Sequence, residues 1–364
     1  MIIAISITLF FIILRFTVTV FNFVSNPKLR RVNRTYTEMV SILIPARNEE
    51  GNILNLLKSV HQQDYENYEV IIYDDESTDR TFSICSAYAA KHPHFRIIEG
   101  AKLPEGWTGK NYACYQLAKQ AKGDYFLFLD ADSTIKDSLI NSAIYRMQVY
   151  KLALLSLFTN QVMQTAGEKT TVPLLHYLLL NLLPLRLVYL TRNPAIATAC
   201  GQFMLFDAVV YQQNQWHELV KDKVVEDAEI MKTIKSASYK GEVLLANDMI
   251  SCRMYKNYSE AISGFSKNSL AVFNYNIPGL FIYILVLIGG PMIVLMTLNF
   301  SLILFMAGLI MLTRIMISLS VGQNALYNVV LHPVQMFNLV VIAFLSVQKH
   351  LTKTNVWKGR FLRD

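Results

Sequence analysis

Long and short apolar runs alternate with polar segments along the 364-residue chain and divide it into three parts. Residues 1–24 form an apolar run that only Arg15 interrupts, and residues 273–348 are also mostly apolar. Between these ends, short apolar runs alternate with segments whose apolar positions recur every three or four residues. Long runs are typical of membrane-spanning helices, whereas the short runs predict buried strands separated by helices.

The middle part, residues 40–272, is predicted to be one α/β domain. Strands that alternate with amphipathic helices are typical of a mostly parallel sheet that helices cover on both faces. The run Tyr125-Phe-Leu-Phe-Leu129 has no polar position and therefore suits a strand buried on both faces. The other predicted strands are Val40–Ile44, Tyr68–Tyr73, Phe95–Ile98 and Leu152–Phe158.

The first strand and the first helix have clear predicted boundaries. Pro45 has no N–H and is expected to end the strand. Asn48 is expected to cap the following helix, with Glu49 and Glu50 in its first turn. The apolar face of that helix is predicted to consist of Ile53, Leu56, Leu57 and Val60.

Polar clusters follow three of the predicted strands, and all three should meet at one edge of the sheet. Ligands of such sheets bind beyond the carboxyl ends of the strands. Paired carboxylates there suit a divalent cation that keeps waters and takes substrate phosphates as its other ligands. A polar turn is the alternative for any single cluster, but three together indicate a site. The clusters are Arg47/Asn48/Glu49, Asp74/Asp75 and Asp130/Asp132.

Composition narrows the class of protein. Hydrophobic residues make up 53% of the chain and its mean hydropathy is +0.30. These values are higher than those of an ordinary soluble protein. The net charge is +7, but no basic stripe interleaves with aromatic residues, so we expect no nucleic-acid partner. The basic residues lie beside apolar segments, which favours contact with an anionic membrane surface. The four cysteines form no Cys-x-x-Cys pair and are expected to be reduced.

The amino-terminal run, residues 1–24, is predicted to be a membrane anchor. A signal peptide would carry positive charge before its apolar region, whereas here the basic linker at residues 25–39 follows it. The positive-inside rule then places the amino terminus outside and the α/β domain in the cytoplasm, at the cell membrane. The basic residues of the linker are Lys28, Arg30, Arg31 and Arg34.

The carboxy-terminal apolar part, residues 273–348, contains three candidate spans: Ile277–Leu298, Ser301–Ser320 and Leu326–Val347. The basic tail, residues 349–364, is predicted to be cytoplasmic. If all three of these candidates crossed the membrane, the tail would lie outside. Either His332-Pro333 therefore marks a re-entrant helix or one candidate lies at the interface, and the last segment is favoured. Another apolar segment, Pro173–Leu190, contains Pro184 and Arg186, so we expect either an interfacial helix or a buried core helix.

At this point the chain resembles the family 2 glycosyltransferases, whose nucleotide-sugar-binding, Rossmann-like fold is called GT-A. The matching motifs occur in the family's order and are Ile44-Pro-Ala-Arg-Asn-Glu-Glu50, Asp74-Asp-Glu-Ser-Thr-Asp79, Asp130-Ala-Asp132 and Val225-Glu226-Asp227. Three further segments are similar to membrane-bound members that glycosylate carotenoid or hopanoid lipids: Pro104-Glu-Gly-Trp107-Thr-Gly109-Lys110, Arg253-Met-Tyr255 and Trp357-Lys-Gly-Arg360.

The resemblance implies a UDP-sugar donor and assigns residues to it. Pro45, Ala46 and Glu49 would line the nucleoside pocket, and Asp75, or alternatively Asp74, would accept a hydrogen bond from the uracil N–H. Lys110 lies at a predicted helix start and would bind the phosphates there; the alternative is a solvent-exposed helix lysine.

For the rest of the site, the resemblance implies that Asp132 ligates Mg²⁺ or Mn²⁺, with Asp130 on the ribose or beside the metal. Trp107 would either line the sugar pocket or pack against its own loop. Gly201 lies in the expected sugar loop, although the glycines that usually follow it are missing, which leaves sugar recognition open.

Asp227 is the predicted general base, with Glu226 orienting the site; a helix start rich in acids is the alternative. Arg253 and Lys267 would neutralise the diphosphate or face lipid headgroups. The Gln-x-x-Arg-Trp motif of processive members is absent, which favours one sugar per acceptor.

The predicted function is therefore metal-dependent, inverting transfer of a hexose, glucose by preference, to a membrane lipid that is carotenoid-like or another isoprenoid. A processive polysaccharide synthase and a non-catalytic sugar-nucleotide-binding scaffold are the alternatives. The sequence leaves the acceptor and the oligomeric state open.

Overall fold

In the computed structural model, which describes residues 1–354, 356–358 and 360–361, an α/β domain is joined to long apolar helices. The strands are β1 (Val40–Ala46), β2 (Tyr68–Asp74), β3 (Phe95–Glu99), β4 (Tyr125–Leu129), β5 (Ser133–Ile135), β6 (Leu154–Phe158), β7 (Asn160–Gln161), β8 (Phe203–Asp207), β9 (Gly241–Leu245), β10 (Ile250–Cys252), β11 (Val356–Trp357) and β12 (Arg360–Phe361).

The helices precede, interrupt and follow these strands. They are α1 (Ile2–Ser25), α2 (Ile53–His61), α3 (Thr81–Ala89), α4 (Gly109–Gln120), α5 (Leu139–Tyr150), α6 (Ala166–Thr171), α7 (Pro173–Leu182), α8 (Arg186–Leu190), α9 (Ala208–Asn214), α10 (Trp216–Leu219), α11 (Glu226–Ser236), α12 (Tyr258–Asn268), α13 (Ile277–Ile284), α14 (Gly290–Met296), α15 (Phe300–Val321), α16 (Ala325–Val330) and α17 (His332–Thr352). Short 3-10 turns cover Pro194–Ile196 and Ala271–Phe273, and a π turn at Leu285–Gly289 joins α13 to α14.

The central sheet has seven strands in the order β3-β2-β1-β4-β8-β6-β9, and only β8 runs antiparallel to its neighbours. A smaller sheet has the order β5-β10-β7. All five residues of β4 are buried, with Phe126 and Phe128 in one hydrophobic cluster and Leu127 and Leu129 in the other. Alternate side chains therefore enter the cores on opposite faces, and the predicted mostly parallel, doubly covered sheet is confirmed.

The prediction that the first strand ends at Pro45 is wrong, because β1 continues two residues beyond Ile44, through Pro45 to Ala46. The ladder between β1 and β4 stops at the pair Leu43–Phe128, whereas the ladder between β1 and β2 runs on to Ala46–Asp74. Pro45 consequently pairs with one neighbouring strand only, where a residue without an N–H is tolerated.

The prediction that Asn48 caps the first helix of the domain is also wrong. That helix begins at Ile53, with Asn52 at its N-cap, so Glu49 and Glu50 precede it. Asn48 has φ +52°, and its side-chain oxygen accepts a hydrogen bond from the N–H of Thr78 at 2.8 Å. The residue therefore joins the loops after β1 and β2. The predicted apolar face is confirmed, since Ile53, Leu56, Leu57 and Val60 are fully buried.

Among the described residues, four helices are long and apolar enough to cross a membrane: Ile2–Ser25, Ile277–Met296, Phe300–Val321 and His332–Thr352. The prediction of one continuous span at Leu326–Val347 is wrong, because this segment forms two helices, α16 and α17, with an interruption at Leu331. Pro333 lies in the first turn of α17, where backbone N–H groups make no intrahelical hydrogen bonds, so a residue without an N–H is tolerated.

Contacts define which helix ends adjoin the α/β domain. Near the end of α1, Asn22 donates to the carbonyl of Leu180 at 2.8 Å, and Asn160 donates to the carbonyl of Val321 at the end of α15. Both helices therefore end beside the domain. Helix α17 packs along α12 and α6 of the domain, and Lys349 near its end donates to Ser266.

The segment Pro173–Leu190 is two helices, α7 and α8, separated around Leu183 and Pro184. Helix α7 packs against α1 and α15 and buries Leu174, Tyr177 and Leu180. The predicted tail is described in part: residues 355, 359 and 362–364, which include Gly359 and Arg363, lie outside the described residues.

Candidate active site

The predicted polar clusters meet at one edge of the sheet. Ala46 and Asp74 are register partners at the ends of β1 and β2, and the N–H of Asp75 donates to the carbonyl of Ala46 at 2.8 Å. Asp130 follows directly after β4, the other neighbour of β1. The carboxyl ends of three adjacent parallel strands thus present their acidic residues together, as the alternating pattern predicted.

Lys110 connects two of the predicted acidic groups. It lies at the start of α4, and its Nζ is 2.8 Å from Oδ1 of Asp130 and 3.0 Å from Oε1 of Glu226. Burial opposes the charged form of Lys110, but the two carboxylates outweigh it and raise the pKa of Lys110 well above its ordinary value. The lysine is therefore a fixed cation at the centre of the site rather than a solvated helix lysine.

Asp227 is held by two backbone donors at the start of α11. The N–H of Gly201 donates to Oδ2 of Asp227 at 2.9 Å, and the N–H of Ala228 donates to Oδ1 at 2.7 Å. Burial raises the pKa of Asp227 to about 7, and the charge of Glu226 adds to that rise, while Lys110 and the two N–H groups oppose it. A carboxyl group that titrates near neutral pH in a fixed orientation suits a general base.

Position 201 has no room for a side chain, because Lys110 and Glu226 lie close to the backbone there. A Cβ atom at this position would lie 2.8 Å from Nζ of Lys110 and 3.3 Å from Oε1 of Glu226. Since Gly201 also donates to Asp227, it joins the predicted base to the ion cluster. The family resemblance placed Gly201 in a sugar loop; in the structure it contacts Asp227, the predicted base, and lies close to Glu226.

Asp132 carries a buried oxygen, Oδ1, that has no hydrogen-bond partner. Burial, Asp130 and Glu49 raise the pKa of Asp132 to about 7, while the Cys252 thiol and Lys358 oppose that rise. The side chain lines a cavity of about 500 Å³. An unpartnered carboxylate oxygen in a polar cavity fits a cation ligand.

Within the described part of the chain, no group of three or more His, Cys, Asp and Glu side chains is placed to hold a metal ion. A cation at Asp132 would accordingly take its other ligands from water and from a bound diphosphate. This arrangement is typical of magnesium sites that serve phosphate-bearing substrates.

Glu49 and Arg47 contact the carboxy-terminal segment. Lys358 donates to Oε1 of Glu49 and, at 2.7 Å, to the carbonyl of Arg47. The Arg47 side chain in turn donates to the carbonyls of Asp75 and Glu76, so it braces the loop after β2. The sequence identified Lys358 as part of a basic tail and of the segment Trp357-Lys-Gly-Arg360, but it did not relate Lys358 to Glu49, because neither periodicity nor spacing relates residues so far apart.

The two aspartates after β2 are both buried, with Asp74 4% and Asp75 3% exposed. Oδ2 of Asp74 accepts a hydrogen bond from the N–H of Ser77, and its Oδ1 is buried without a hydrogen-bond partner. Asp74 thus has one acceptor oxygen without a partner at the strand end. The choice between Asp74 and Asp75 as the nucleobase acceptor stays a prediction.

Trp107 packs its ring on the tyrosines of α4, with ring centroids 5.4 Å from Tyr112 and 5.0 Å from Tyr115. These contacts favour the loop-packing alternative for Trp107. Asn111, also at the start of α4, is a residue that the sequence did not single out. Its amide donates to the carbonyl of Val220 at 2.8 Å and of Lys223 at 3.1 Å, which anchors the segment before Glu226.

Arg253 and Lys267 differ in their surroundings. Arg253 donates to both carboxylate oxygens of Glu168, at 2.8 and 3.3 Å, and so fixes the capping box at the start of α6. Lys267 on α12 is within electrostatic reach of Glu226 and Asp130; burial nevertheless lowers its pKa to about 8. Lys267 therefore adds a second cation near the cluster around Lys110.

Comparison with known proteins identifies the class to which this α/β domain belongs. Residues 41–214 match the family model described as "Glycosyl transferase family 2". This part of the chain is a family 2 glycosyltransferase domain, and the predicted GT-A fold is confirmed.

The chain is 27% identical to the 4,4'-diaponeurosporenoate glycosyltransferase of Staphylococcus haemolyticus over 64% of this chain and 61% of that protein. A shorter match to the enzyme of the same name from Staphylococcus aureus is 35% identical and covers 30% of this chain and 28% of that protein. The chain thus spans less than two thirds of the length of these relatives.

A solved structure, the mannosyltransferase PcManGT from Pyrobaculum calidifontis in complex with GDP-Man and Mn²⁺, matches 98% of this chain and 100% of that chain. Its TM-score is 0.57 and its sequence identity is 15%, so the likeness concerns the fold.

Proposed function

We propose that this protein is a membrane-bound, inverting glycosyltransferase that moves one hexose, glucose by preference, from a UDP-sugar to a lipid acceptor. The observation that carries the proposal is the carboxylate of Asp227, which two backbone N–H groups hold beside the cluster of Lys110, Asp130 and Glu226. The names of the staphylococcal relatives support an isoprenoid lipid as the acceptor class.

Asp227 acts as the general base. The N–H groups of Gly201 and Ala228 fix both carboxylate oxygens, and a pKa of about 7 gives the group substantial basicity while leaving it ionised in part at neutral pH. It takes the proton from an acceptor hydroxyl as that oxygen attacks the anomeric carbon opposite the departing diphosphate. One displacement of this kind inverts the anomeric centre.

Lys110 and Lys267 stabilise the leaving group. Negative charge grows on the diphosphate as the glycosidic bond breaks, and preorganised cations lower the energy of that state. Asp130 and Glu226 hold the ammonium of Lys110 in place, so little reorganisation is needed during the reaction.

Asp132 is the proposed ligand of Mg²⁺ or Mn²⁺, because its Oδ1 is buried without a hydrogen-bond partner and the residue lines a cavity with mostly polar lining residues. When bound, the cation would neutralise charge on the diphosphate. The fold neighbour PcManGT was solved with Mn²⁺ and GDP-Man, which supports a metal-assisted sugar-nucleotide site in this fold.

The nucleoside is proposed to bind at the ends of β1 and β2, against Pro45, Ala46 and Glu49. Asp74 and Asp75 are buried at this edge, and a carboxylate accepts the hydrogen bond that a uracil N–H offers.

The proposed topology has three crossings. Helices α1 and α15 end beside the domain, and the segment from α13 to α14 runs between the domain and the start of α15. Helix α17 would lie along the membrane surface, because it packs on α12 and α6 of the domain. With three crossings in total, the domain and the basic tail would both lie in the cytoplasm, as the positive-inside rule expects.

An assay of lipid products tests the proposal. The purified chain is incubated with UDP-glucose, Mn²⁺ or Mg²⁺, and a membrane lipid extract, and new glycolipids are identified by mass spectrometry. We expect lipids that gain one hexose, with no product if the metal is chelated. Long sugar chains would instead indicate a polysaccharide synthase, and no turnover with a panel of donors and lipids would favour a non-catalytic scaffold.

A further inference from the structure

A second cavity, of about 230 Å³, lies between α8 and the end of α11. Its lining includes the cationic side chains of Arg192, Lys235 and Lys240 and the rings of Tyr189 and Tyr239. A cavity of this volume is too small for a nucleotide sugar but can admit a phosphate group with part of its ester. The cavity is also separate from the proposed donor site, because Lys235 lies eight residues beyond Asp227 on α11, about 12 Å along the helix.

Lys235 is the unusual member of this cavity, since it is only 3% exposed. Its Nζ donates to the carbonyls of Val188 at 2.6 Å and Thr191 at 2.8 Å. An ammonium group has three N–H donors, so one remains after these two hydrogen bonds. Burial lowers the pKa of Lys235, and no carboxylate contributes to that shift.

The cavity has cations but no anion among the described residues. No ion pair joins Arg192, Lys235 or Lys240 to a carboxylate within 4.0 Å in that part of the chain. The nearby carboxylate of Glu242 is already engaged by Arg146 at 2.6 Å and by Arg186 at 3.7 Å. Buried charges in proteins are normally paired, so a buried lysine flanked by two exposed cations favours an anionic ligand.

The cavity lies close to the domain end of α1. Arg186, at the start of α8, donates to the carbonyl of Ser25, the last residue of α1. Leu190, at the end of α8, is 65% exposed beside the cavity mouth. An exposed leucine next to a cationic cavity, near the end of a candidate membrane helix, fits a ligand that has both an acyl chain and a phosphate.

We propose that this cavity binds the phosphate of an anionic membrane lipid, with Lys235 and Arg192 donating to the phosphate oxygens and Lys240 at the rim. The phosphate accepts the third hydrogen bond of the buried Lys235 ammonium, and the glycerol or acyl part of the lipid lies toward Leu190. The site is independent of the donor site, so its occupancy does not rest on the proposed function.

Calorimetric titration of the full chain in a neutral detergent tests this proposal. Dihexanoyl phosphatidylglycerol is the lipid probe, dihexanoyl phosphatidylcholine is the matched zwitterionic lipid, and glycerol phosphate and inorganic phosphate are the soluble probes. We expect saturable binding of phosphatidylglycerol that is at least about tenfold tighter than that of the other three. Equal affinity for inorganic phosphate and phosphatidylglycerol would overturn the lipid assignment.

The double variant Arg192→Gln/Lys240→Gln tests the location. Both side chains are exposed, so the fold should be unaffected, and affinity for phosphatidylglycerol should fall about tenfold or more. The control is Lys91→Gln/Lys151→Gln, which removes the same charge from two other exposed lysines and should bind as the wild type does. Equal loss in both double variants would overturn the site, because it would show a dependence on net charge alone.

Lys235→Met provides an independent check. If Lys235 only joined α8 to α11, bound phosphatidylglycerol would raise the melting temperature of this variant as much as that of the wild type. We expect that ligand-induced rise to be lost in the variant, whatever its melting temperature without ligand. An unchanged rise would overturn the role of Lys235 as a ligand.

Discussion

The backbone N–H of Gly201 donates a hydrogen bond to Oδ2 of Asp227 at 2.9 Å, and this contact joins the loop before β8 to the start of α11. The two residues are 26 positions apart in sequence. Because a Cβ at Gly201 would lie 2.8 Å from Nζ of Lys110, one residue without a side chain both donates to the predicted base and leaves room for the central cation.

Replacement of Gly201 by alanine should therefore damage catalysis more than folding. The new Cβ would lie 2.8 Å from Nζ of Lys110, so the ammonium must move away from Asp130 and Glu226. We expect kcat/KM for the UDP-sugar to fall roughly 10- to 100-fold, since small displacements of catalytic groups have effects of that size.

The matched control for this variant is Gly308→Ala, since a Cβ at Gly308 meets no atom within 4 Å. Steady-state kinetics should show wild-type values there. Equal activity in both alanine variants would contradict the role given to Gly201.

Activity should rise with pH through the pKa of Asp227. The base must be deprotonated, and burial with the nearby charge of Glu226 raises its pKa to about 7, so the acid limb of the rate profile should lie near pH 7. Stability should change in the opposite direction. Because the folded pKa exceeds that of an unfolded aspartate, the folded state holds its proton more firmly, and the free energy of unfolding falls as pH rises from about 4 to 7.

The pH dependence is measured as kcat of lipid glycosylation, with thermal unfolding followed over the same range. An acid limb near pH 4 would contradict the burial argument, since an unperturbed carboxylate would titrate there.

Lys358 should influence metal activation. Its charge lowers the pKa of Asp132, which burial, Asp130 and Glu49 raise to about 7. In Lys358→Gln that pKa should rise further, so less Asp132 is ionised at pH 7 and a higher Mn²⁺ concentration is needed for half-maximal activity. The difference from the wild type should shrink at higher pH, where Asp132 is ionised in both.

Lys353→Gln removes an exposed lysine from the same tail and is the control for this effect. A pH-independent change in the Mn²⁺ requirement of Lys358→Gln would point to a different cause.

Asn111 should be important for stability as well as for the site. It is fully buried, and its amide donates to the carbonyls of Val220, Lys221 and Lys223. Asn111→Ala leaves these carbonyls without that donor, which should lower the free energy of unfolding by roughly 1–3 kcal/mol. Chemical unfolding in detergent measures the change, and Asn33→Ala, at an exposed position, should show none.

Local patterns predicted the parts of the site that lie on contiguous strands and helices. Asp130 and Asp132 follow an uninterrupted apolar run, and Glu226 and Asp227 open a helix; both patterns occur within a few residues. Strand pairing then brings the groups together, because parallel strands end at the same edge.

Residues that act through distant partners could not be predicted in this way. Asn48 has the side chain of a helix cap, but its oxygen accepts from Thr78 in another loop, and that competing partner is invisible in a local pattern. Lys358 reaches Glu49 across 309 positions. Likewise, composition suggested one span at Leu326–Val347, because hydropathy does not register the break that precedes Pro333.

The central claim is that Asp227 is the base of a glycosyl transfer, and the most direct test compares binding with turnover in Asp227→Asn. Asparagine keeps an oxygen that can accept from Gly201 but cannot take a proton. We expect affinity for UDP-glucose within about twofold of the wild type and lipid glycosylation lower by about 100-fold or more, while the exposed control Asp222→Asn matches the wild type. Wild-type turnover by Asp227→Asn would contradict the account.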